Sequence, residues 1–203
     1  MGYHLLSMKL KVYLLNYQDI PSNILLNSKY LSKVEKISFE QYKNEDVKKE
    51  KIVSAILKNK YIGEYHLNEF GKPISDKIFF NISHSHGYIA LVIDQVSVGI
   101  DIEKIRVVED NLKNYISSEE EKKYITDDAS FFEIWTNKES LVKANGNGIN
   151  QKPNAIPSLP INGKRTYNNK TFFNRTIEYL DLIITVSRED DVDFDLEIVE
   201  ESL

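Results

Sequence analysis

The chain has 203 residues, a formal net charge of −5 and no cysteine. The lack of cysteine excludes a disulfide framework, a thiolate zinc site and a cysteine nucleophile, and it is typical of a cytoplasmic protein. The negative charge disfavours general nucleic-acid binding, and no apolar run approaches the ~18 residues that a membrane-spanning helix needs.

The N-terminal part predicts a strand followed by a helix. Residues 9–15 are typical of a strand, and residues 1–7 before them are expected to be an extra segment. Residues 22–37 are predicted to form one helix capped by Ser22. The apolar face of this helix is expected to contain Ile24, Leu25, Tyr30, Leu31, Val34 and Ile37.

A second, longer helix is predicted over about residues 44–62, where apolar side chains recur at helical spacing opposite a lysine-rich face. Gly63 is expected to end this helix. The tripeptide Gly71-Lys72-Pro73 is predicted to be a loop, since glycine and proline both interrupt regular structure.

Three short strands are predicted next, over residues 78–83, 88–93 and 96–103. Each is rich in branched or aromatic residues, and the connections between them are short. Short connections favour antiparallel neighbours, so the three strands are predicted to form a meander.

The C-terminal part predicts two helices and a hairpin. Ser117 or Ser118 is expected to cap a helix that begins with glutamates, as the helix dipole favours. A longer helix is predicted over residues 129–144, before Gly146 and Gly148. The closing hairpin is predicted over residues 171–179 and 181–187.

Helices and antiparallel strands therefore occur in both parts of the chain, which predicts an α+β fold. The expected boundary lies between an N-terminal half, residues 1–94, and a C-terminal half, residues 95–203.

Two carboxylates share one face of the third predicted strand. Strand alternation puts Asp101 and Glu103 on one side and Ile100 and Ile102 on the other. The carboxylates are expected to lie about 7 Å apart, where they repel by about 2.4 kcal/mol at an effective dielectric constant of about 20. A hard cation such as Mg²⁺ would relieve this repulsion. Considered alone, however, the pattern is explained more simply by a solvent-exposed strand face.

Two further patterns are ambiguous on their own. Glu139 and Lys143 lie one turn apart on a predicted helix, which indicates an ordinary ion pair worth about 0.3–0.5 kcal/mol. Ser83 and His84 could suggest a hydrolase. Neighbouring strand residues point to opposite faces, however, so these two are poorly placed as nucleophile and base. Their position near a turn suits contact with a phosphate better.

Four blocks occur in a characteristic order, and together they carry a resemblance to a known family. They are Gly71-Lys72-Pro73, Phe80-Asn81-Ile82-Ser83-His84-Ser85, Val98-Gly99-Ile100-Asp101-Ile102-Glu103 and Trp135-x-x-Lys138-Glu139-Ser140-x-x-Lys143. The chain resembles the 4′-phosphopantetheinyl transferase superfamily, in its larger, pseudo-dimeric, surfactin-synthetase-activating (Sfp-type) branch. This resemblance implies two similar α+β halves related by a pseudo-twofold, with coenzyme A in the cleft between them.

The resemblance also implies an activity. Enzymes of this family use Mg²⁺ to transfer the phosphopantetheine group of coenzyme A to a serine of an apo acyl, peptidyl or aryl carrier protein. The products are the holo-carrier and adenosine 3′,5′-bisphosphate. A cytoplasmic monomer is expected.

Carried over by position, the resemblance implies a set of functional residues. The magnesium ligands are Asp101, Glu103 and Glu139. Glu139 is also the candidate to accept the serine proton, Lys143 contacts the phosphates, and Asp101 belongs with both in the catalytic set. The residues implied to contact coenzyme A are Lys72, Ser83, His84, Lys138, Lys143, Lys33, Lys36 and Lys49.

Two of the implied positions need comment. Glu120 corresponds to a glutamate beside the family's active site. Lys49 stands where the family usually has arginine, so the charge is kept while bidentate phosphate contact is lost.

Two other functions compete with the transferase. One is a non-catalytic relative that binds coenzyme A or a carrier as an interaction module, which would bind without magnesium-dependent turnover. The other is a hydrolase built on Ser83 and His84, which would show esterase activity that Ser83→Ala abolishes.

Overall fold

The computed structural model describes residues 8–69, 72–146, 148 and 151–202. The expected extra segment, residues 1–7, and Gly71 of the predicted loop lie outside these residues. The α+β prediction is confirmed, because helices flank two antiparallel-rich sheets. Within the described residues, no helix is long and apolar enough to cross a membrane.

Along the chain, groups of consecutive helices are separated by groups of consecutive strands. The strands are β1 (Met8–Asn16), β2 (His66–Leu67), β3 (Pro73–Ile74), β4 (Phe79–Ser85), β5 (Tyr88–Asp94), β6 (Val98–Lys104), β7 (Gly163–Tyr167), β8 (Lys170–Tyr179), β9 (Leu182–Arg188) and β10 (Phe194–Glu200). The α-helices are α1 (Ser22–Leu25), α2 (Lys33–Glu40), α3 (Glu45–Tyr61), α4 (Asp110–Ile116), α5 (Glu119–Tyr124) and α6 (Asp128–Asn145).

The first sheet has the strand order β10-β1-β5-β4. Strand alternation gives it two apolar faces. On one face, Ile89 and Leu91 of β5 pack with Ile52 and Ile56 of α3. On the other face, Ala90 and its neighbours point towards the second sheet.

The second sheet has the order β6-β9-β8-β7, and α6 packs against it. Gly99 of β6 permits this close packing. A Cβ atom at that position would lie 2.1 Å from the Ser140 carbonyl oxygen and 2.4 Å from the Ala144 nitrogen. Between the two sheets lies a shared core that includes Val92 and Ile100.

The two halves repeat one topology. In each, an opening strand is followed by helices and then by a hairpin whose second strand pairs antiparallel with the opening strand. The sets are β1, β5 and β4 in the first sheet and β6, β9 and β8 in the second. This repetition agrees with the two similar halves that the resemblance implies.

The predicted meander is wrong. The strands β4 and β5 form a hairpin, but β6 pairs with β9 and begins the second sheet. The remaining edge of β5 is taken by β1, so β6 has no place beside β5. Short connections therefore predicted the hairpin correctly but not where the sheet ends.

The single helix predicted over residues 22–37 is also wrong, because the structure has α1 and α2 instead. Ser32 starts α2 with a capping box: its hydroxyl accepts from the Glu35 amide, and the Glu35 carboxylate accepts from the Ser32 amide. Ser22 lies inside α1 rather than capping it. On α2, Val34 and Ile37 are exposed, so the predicted apolar face does not form.

Other predicted elements are confirmed with small shifts at their ends: β1, α3, α6, the α5 helix capped by Ser118, and the β8–β9 hairpin. The strand β10 was missed, since it lies in an acidic segment. It pairs in parallel with β1 in the first sheet. The C-terminal strand thus crosses the expected boundary at residue 94.

We predict that Gly99→Ala destabilises the fold by about 1–3 kcal/mol, because the new Cβ collides with the α6 backbone. Chemical denaturation measures this loss. Gly63→Ala is the comparison, since its Cβ meets nothing within 4 Å and only its φ of +74° opposes the change. A Gly99→Ala variant as stable as the wild type would show that α6 does not pack this closely on β6.

Candidate active site

The strand β4 presents three polar side chains to the open edge of β6: Asn81, Ser83 and Ser85. The side-chain oxygens accept hydrogen bonds from alternate β6 amides, with N···O distances of 3.0, 3.4 and 3.2 Å, respectively. The donating amides belong to Ile100, Ile102 and Lys104. The edge amides of β6 are thereby satisfied by side chains of the other half, and the seam between the halves is fixed in register.

Asp101 lies at this seam and is buried. Its Oδ1 accepts from Ser83 Oγ at 2.9 Å and from Lys143 Nζ at 2.6 Å. Its Oδ2 is buried and has no hydrogen-bond partner among the described residues. Burial raises the pKa of Asp101, although Lys143 and Ser83 oppose that effect. A buried carboxylate oxygen without a partner is costly unless a ligand satisfies it.

Glu103 lies two residues further along β6. Its Oε2 accepts from Ser85 Oγ and from Arg106 Nη1, both at 2.9 Å. Both β6 carboxylates are therefore held in the same way, by one β4 serine and one cationic side chain on a single oxygen.

The third carboxylate, Glu139, comes from α6. Burial raises its pKa, the charge on Asp101 raises it further, and Glu103 adds to the effect, while Lys143 opposes it. The carboxylates of both elements therefore interact electrostatically, as a shared site requires.

The described residues contain no cluster of three or more His, Cys, Asp or Glu side chains arranged to hold a metal ion. In this structure Lys143 Nζ contacts Asp101 instead. Even so, the chemistry of the donor set fits a hard divalent cation: two carboxylates have raised pKa values, and Asp101 has an unpartnered oxygen.

A cavity of about 350 Å³ adjoins these residues, and we call it the α6 cavity. It is lined by Lys72, Pro73, Phe80, Asn81, Ile82, Glu139, Val142, Lys143, Gly146 and Gly148. Lys72 Nζ donates to the Lys143 carbonyl oxygen at 2.8 Å. Burial and the neighbouring charge of Lys143 lower the pKa of Lys72. Two lysines and a carboxylate therefore meet in one partly buried space.

A second cavity, of about 410 Å³, lies beside α3, and we call it the α3 cavity. It is lined by Tyr17, Gln18, Asp46, Val47, Lys49, Glu50, His84, His86, Gly87 and Lys104. His84 Nε2 lies 3.1 Å from a Glu50 oxygen, and Lys49 Nζ donates to the Gln18 carbonyl. His84 thus lies on the opposite face from Ser83, which bonds Asp101. The two do not form a nucleophile–base pair, and this removes the basis of the hydrolase hypothesis.

Residues 97–190, which include both β6 carboxylates, Glu139 and Lys143, match the sequence model of the 4′-phosphopantetheinyl transferase superfamily. This segment, a little under half of the chain, is thus similar to that superfamily. The match covers the second sheet and α6, and thus the main part of the site.

Individual relatives extend the similarity beyond this segment. The chain is 33% identical over 139 residues to the 4′-phosphopantetheinyl transferase gsp of Aneurinibacillus migulanus, covering 60% of this chain and 59% of the relative. It is 26% identical over 155 residues to the transferase Sfp of Bacillus subtilis (strain 168), covering 66% of this chain and 69% of the relative. The chain thus spans about three fifths of the length of the gsp relative. Among solved structures, a holo-[acyl-carrier-protein] synthase of Thermotoga maritima matches 47% of this chain and 64% of its own, with 18% identity and a TM-score of 0.36.

The structure contradicts one residue of the set implied to contact coenzyme A. Lys138 is fully buried, and its Nζ donates to both Glu121 oxygens at 2.7 and 2.8 Å. The same ammonium also donates to the carbonyls of Pro153 and Ile156. Every proton of this ammonium is engaged inside the protein, so Lys138 is not available to a ligand. It is adjacent to Glu139 in sequence but points away from the cavity.

Glu120, which the resemblance implies beside the active site, lines neither the α6 cavity nor the α3 cavity. Glu120 is exposed, whereas Glu121 is buried and binds Lys138. Ser118 explains the difference, since it caps α5 and the third helical residue after it is Glu121. The capping-box pattern in the sequence could have identified Glu121.

The two other N-terminal lysines lie apart from both cavities. Lys33 and Lys36 are on α2, and neither lines the α6 cavity or the α3 cavity. The structure thus brings Lys72 and Lys143 together, puts His84 and Lys49 in a separate cavity, and leaves the α2 lysines outside.

Sequence reasoning missed Ser85 and Arg106, which both bind Glu103. The signal for Ser85 was present, since polar residues alternate along β4 at positions 81, 83 and 85 in a strand that is otherwise apolar. Arg106 follows the strand and gave no comparable pattern.

We predict that Lys138→Met destabilises the protein by about 3–5 kcal/mol, because it leaves Glu121 buried without its partner. The double variant Lys138→Met/Glu121→Gln should lose less stability than Lys138→Met, since no unpaired charge remains. The control is Lys122→Met, which removes a surface pair with Glu119 and should have little effect. Equal urea midpoints for Lys138→Met and Lys122→Met would contradict the buried pair.

The same pair gives a pH dependence. Burial alone would raise the pKa of Glu121, but hydrogen bonds from Lys138, Ser158 and the Ser118 amide outweigh it and lower the pKa. A lowered native pKa adds stability above the unfolded value of about 4.3, and this stability is lost as the pH falls further. We expect the unfolding free energy to fall less steeply below about pH 4 in Glu121→Gln than in the wild type. Parallel urea-unfolding profiles across this range would refute the lowered pKa.

Proposed function

We propose that this chain transfers the 4′-phosphopantetheine group of coenzyme A to a serine of an apo carrier protein, giving the holo-carrier and adenosine 3′,5′-bisphosphate. The observation that carries the proposal is the 2.6 Å contact between Lys143 Nζ of α6 and Asp101 Oδ1 of β6, with Glu139 of α6 close enough to feel the charges of Asp101 and Glu103. All four residues lie in the segment that matches the transferase superfamily. The relatives named for this activity support the same reaction.

In this reaction the serine oxygen attacks a phosphorus of the coenzyme A pyrophosphate. A new P–O bond forms to serine, and the P–O bond to the adenosine bisphosphate breaks. Negative charge develops on the phosphoryl oxygens and on the leaving group, so fixed cations are the main requirement. Lys72 and Lys143, which line the α6 cavity, supply these fixed positive charges.

Glu139 is placed to accept the serine proton. It lines the same cavity as the two lysines, which puts a proton acceptor beside the proposed phosphate-binding groups.

Asp101, Glu103 and Glu139 would together hold the magnesium ion. When bound, Mg²⁺ neutralises charge on the pyrophosphate oxygens as a Lewis acid. The three carboxylates contribute oxygen ligands, which this ion prefers.

Further positive charge for the phosphates would come from Lys49 and Lys104 of the α3 cavity, and His84 of the same cavity would offer a ring nitrogen for a hydrogen bond. Ser83, whose hydroxyl bonds Asp101 and Lys143, lies next to the phosphate-binding groups. We infer that the protein acts as a cytoplasmic monomer; the monomeric state is supported by the two halves of the same topology, whose seam contains the proposed site.

The test is to incubate the chain with coenzyme A, Mg²⁺ and apo carrier proteins of the acyl, peptidyl and aryl classes. Mass spectrometry should show one phosphopantetheine added to a carrier serine. If the folded chain binds coenzyme A and modifies none of the carriers, the non-catalytic interaction module is favoured instead.

We predict that Asp101→Asn lowers the transfer rate about 10²–10³-fold, because it removes a charge from the site while keeping the side-chain shape. The matched control Asp191→Asn changes an exposed aspartate far along the chain and should keep the wild-type rate. An unchanged rate in Asp101→Asn, with normal folding, would show that the reaction does not use this carboxylate.

A further inference from the structure

Ser85 makes a contact that the proposed roles leave unexplained. Its hydroxyl is buried, and it lies 2.9 Å from Glu103 Oε2 and 3.2 Å from the Lys104 amide nitrogen. We propose that Ser85 is a positioning residue that orients Glu103 for binding a divalent cation. The proposal rests on the proposed function, in which Glu103 is a metal ligand.

The direction of these hydrogen bonds is set by the groups involved. An ionised carboxylate only accepts, so Ser85 donates its single proton to Glu103. The backbone amide of Lys104 donates to the same hydroxyl oxygen. The ring nitrogen Nδ1 of His86 also lies 3.1 Å from this oxygen. The Glu103 carboxylate accepts the hydroxyl proton in preference to this ring nitrogen, because hydrogen bonds to a charged acceptor are stronger. Ser85 is thus held from the β6 backbone and points its proton at the β6 carboxylate.

The same arrangement occurs two residues earlier, at Ser83 and Asp101. Ser83 accepts from the Ile102 amide and donates to Asp101 Oδ1. Lys143 donates a second hydrogen bond to Asp101 Oδ1, just as Arg106 donates a second one to Glu103 Oε2. Two serines on β4 therefore hold two carboxylates on β6 at matching positions of the seam.

In both cases the contacts gather on a single oxygen. Within the described part of the chain, Asp101 Oδ2 has no hydrogen-bond partner, and the hydrogen bonds to Glu103 are all made by its Oε2. Each carboxylate keeps one oxygen for a ligand while the other oxygen is fixed. An outer residue of this kind orders a metal ligand before the metal arrives.

Arg106 does not replace Ser85 in this role. The arginine side chain is about two-fifths exposed, at 43%, whereas Ser85 is 7% exposed and belongs to a paired strand. The rigid donor at Glu103 is the serine, and the arginine supplies charge from the solvent side.

The experiment measures Mn²⁺ binding to the full chain, without coenzyme A or carrier protein, by electron paramagnetic resonance of the free ion. Ser85→Ala should weaken Mn²⁺ binding about 10–100-fold, the usual effect of losing such an outer contact. Ser85→Thr, which keeps the hydroxyl, should restore binding to within about threefold of the wild type.

Ser187→Ala is the matched control. Ser187 is also a buried strand serine, but its hydroxyl bonds Ser140 and Asn174 rather than a carboxylate. It should lower thermal stability without changing Mn²⁺ affinity. If Ser85→Ala fails to fold, Ser85→Cys keeps the side-chain shape with a weaker donor and should also bind Mn²⁺ less tightly.

A double variant isolates the route of the effect. In a Glu103→Ala background, Ser85→Ala should cause no further loss of Mn²⁺ affinity, because its partner is gone. Three results would each overturn the proposal. The first is a full loss of Mn²⁺ affinity from Ser85→Ala in the Glu103→Ala background. The others are equal Mn²⁺ affinities in Ser85→Ala and the wild type, and no Mn²⁺ binding by the wild type. Transfer by the wild type is assayed separately. Failure to modify any carrier would count against the proposed function, while the Mn²⁺ measurements still decide the role of Ser85.

Discussion

The open edge of β6 is the constraint on which the rest of the structure depends. An edge strand that is buried between two halves must satisfy its amides, because each unpaired buried amide is costly. Here Asn81, Ser83 and Ser85 of β4 satisfy them, where another strand would normally do so. The two sheets remain separate, and their seam is formed by side chains that also reach functional groups.

This seam explains where the carboxylates lie. The alternate residues of β6 whose side chains enter the shared core are apolar, and the residues between them face α6. Gly99 lets that helix approach the strand closely. Asp101 and Glu103 are therefore confined between a serine-bearing strand and a helix that carries Glu139 and Lys143. A site of this kind could not form on either half alone.

The seam also concentrates charge. Burial raises the pKa values of Asp101 and Glu139, repulsion by Glu103 adds to both, and burial lowers the pKa of Lys72. The positive charge of Lys143, which is paired with Asp101, offsets only part of the rise in the two carboxyl pKa values. Clustered groups with shifted pKa values are common at functional sites, where the fold tolerates electrostatic strain that a ligand relieves.

Much of this site could be predicted from the sequence, and the reasons for the failures are specific. Strand alternation placed Asp101 and Glu103 on one face, and helical spacing placed Glu139 beside Lys143. The sequence pattern did not indicate that β6 leaves the first sheet, because the pattern of a strand does not identify its neighbours.

The resemblance implies Lys138 and Glu120 at the site, but in the structure the side chains of both point elsewhere. Lys138 follows the family pattern, yet one step along a helix turns a side chain by about 100°, away from the cavity and into a buried ion pair. Glu120 and Glu121 differ by a single residue, and only the cap at Ser118 decides which one points inward.

Hydrogen exchange of the β6 amides tests the central claim most directly. If the β4 side chains satisfy this edge, the amides of Ile100, Ile102 and Lys104 should exchange as slowly as those in the middle of β5. Exchange as fast as at the exposed Val107 would mean that the edge is open, which would contradict the account of how the site is held together.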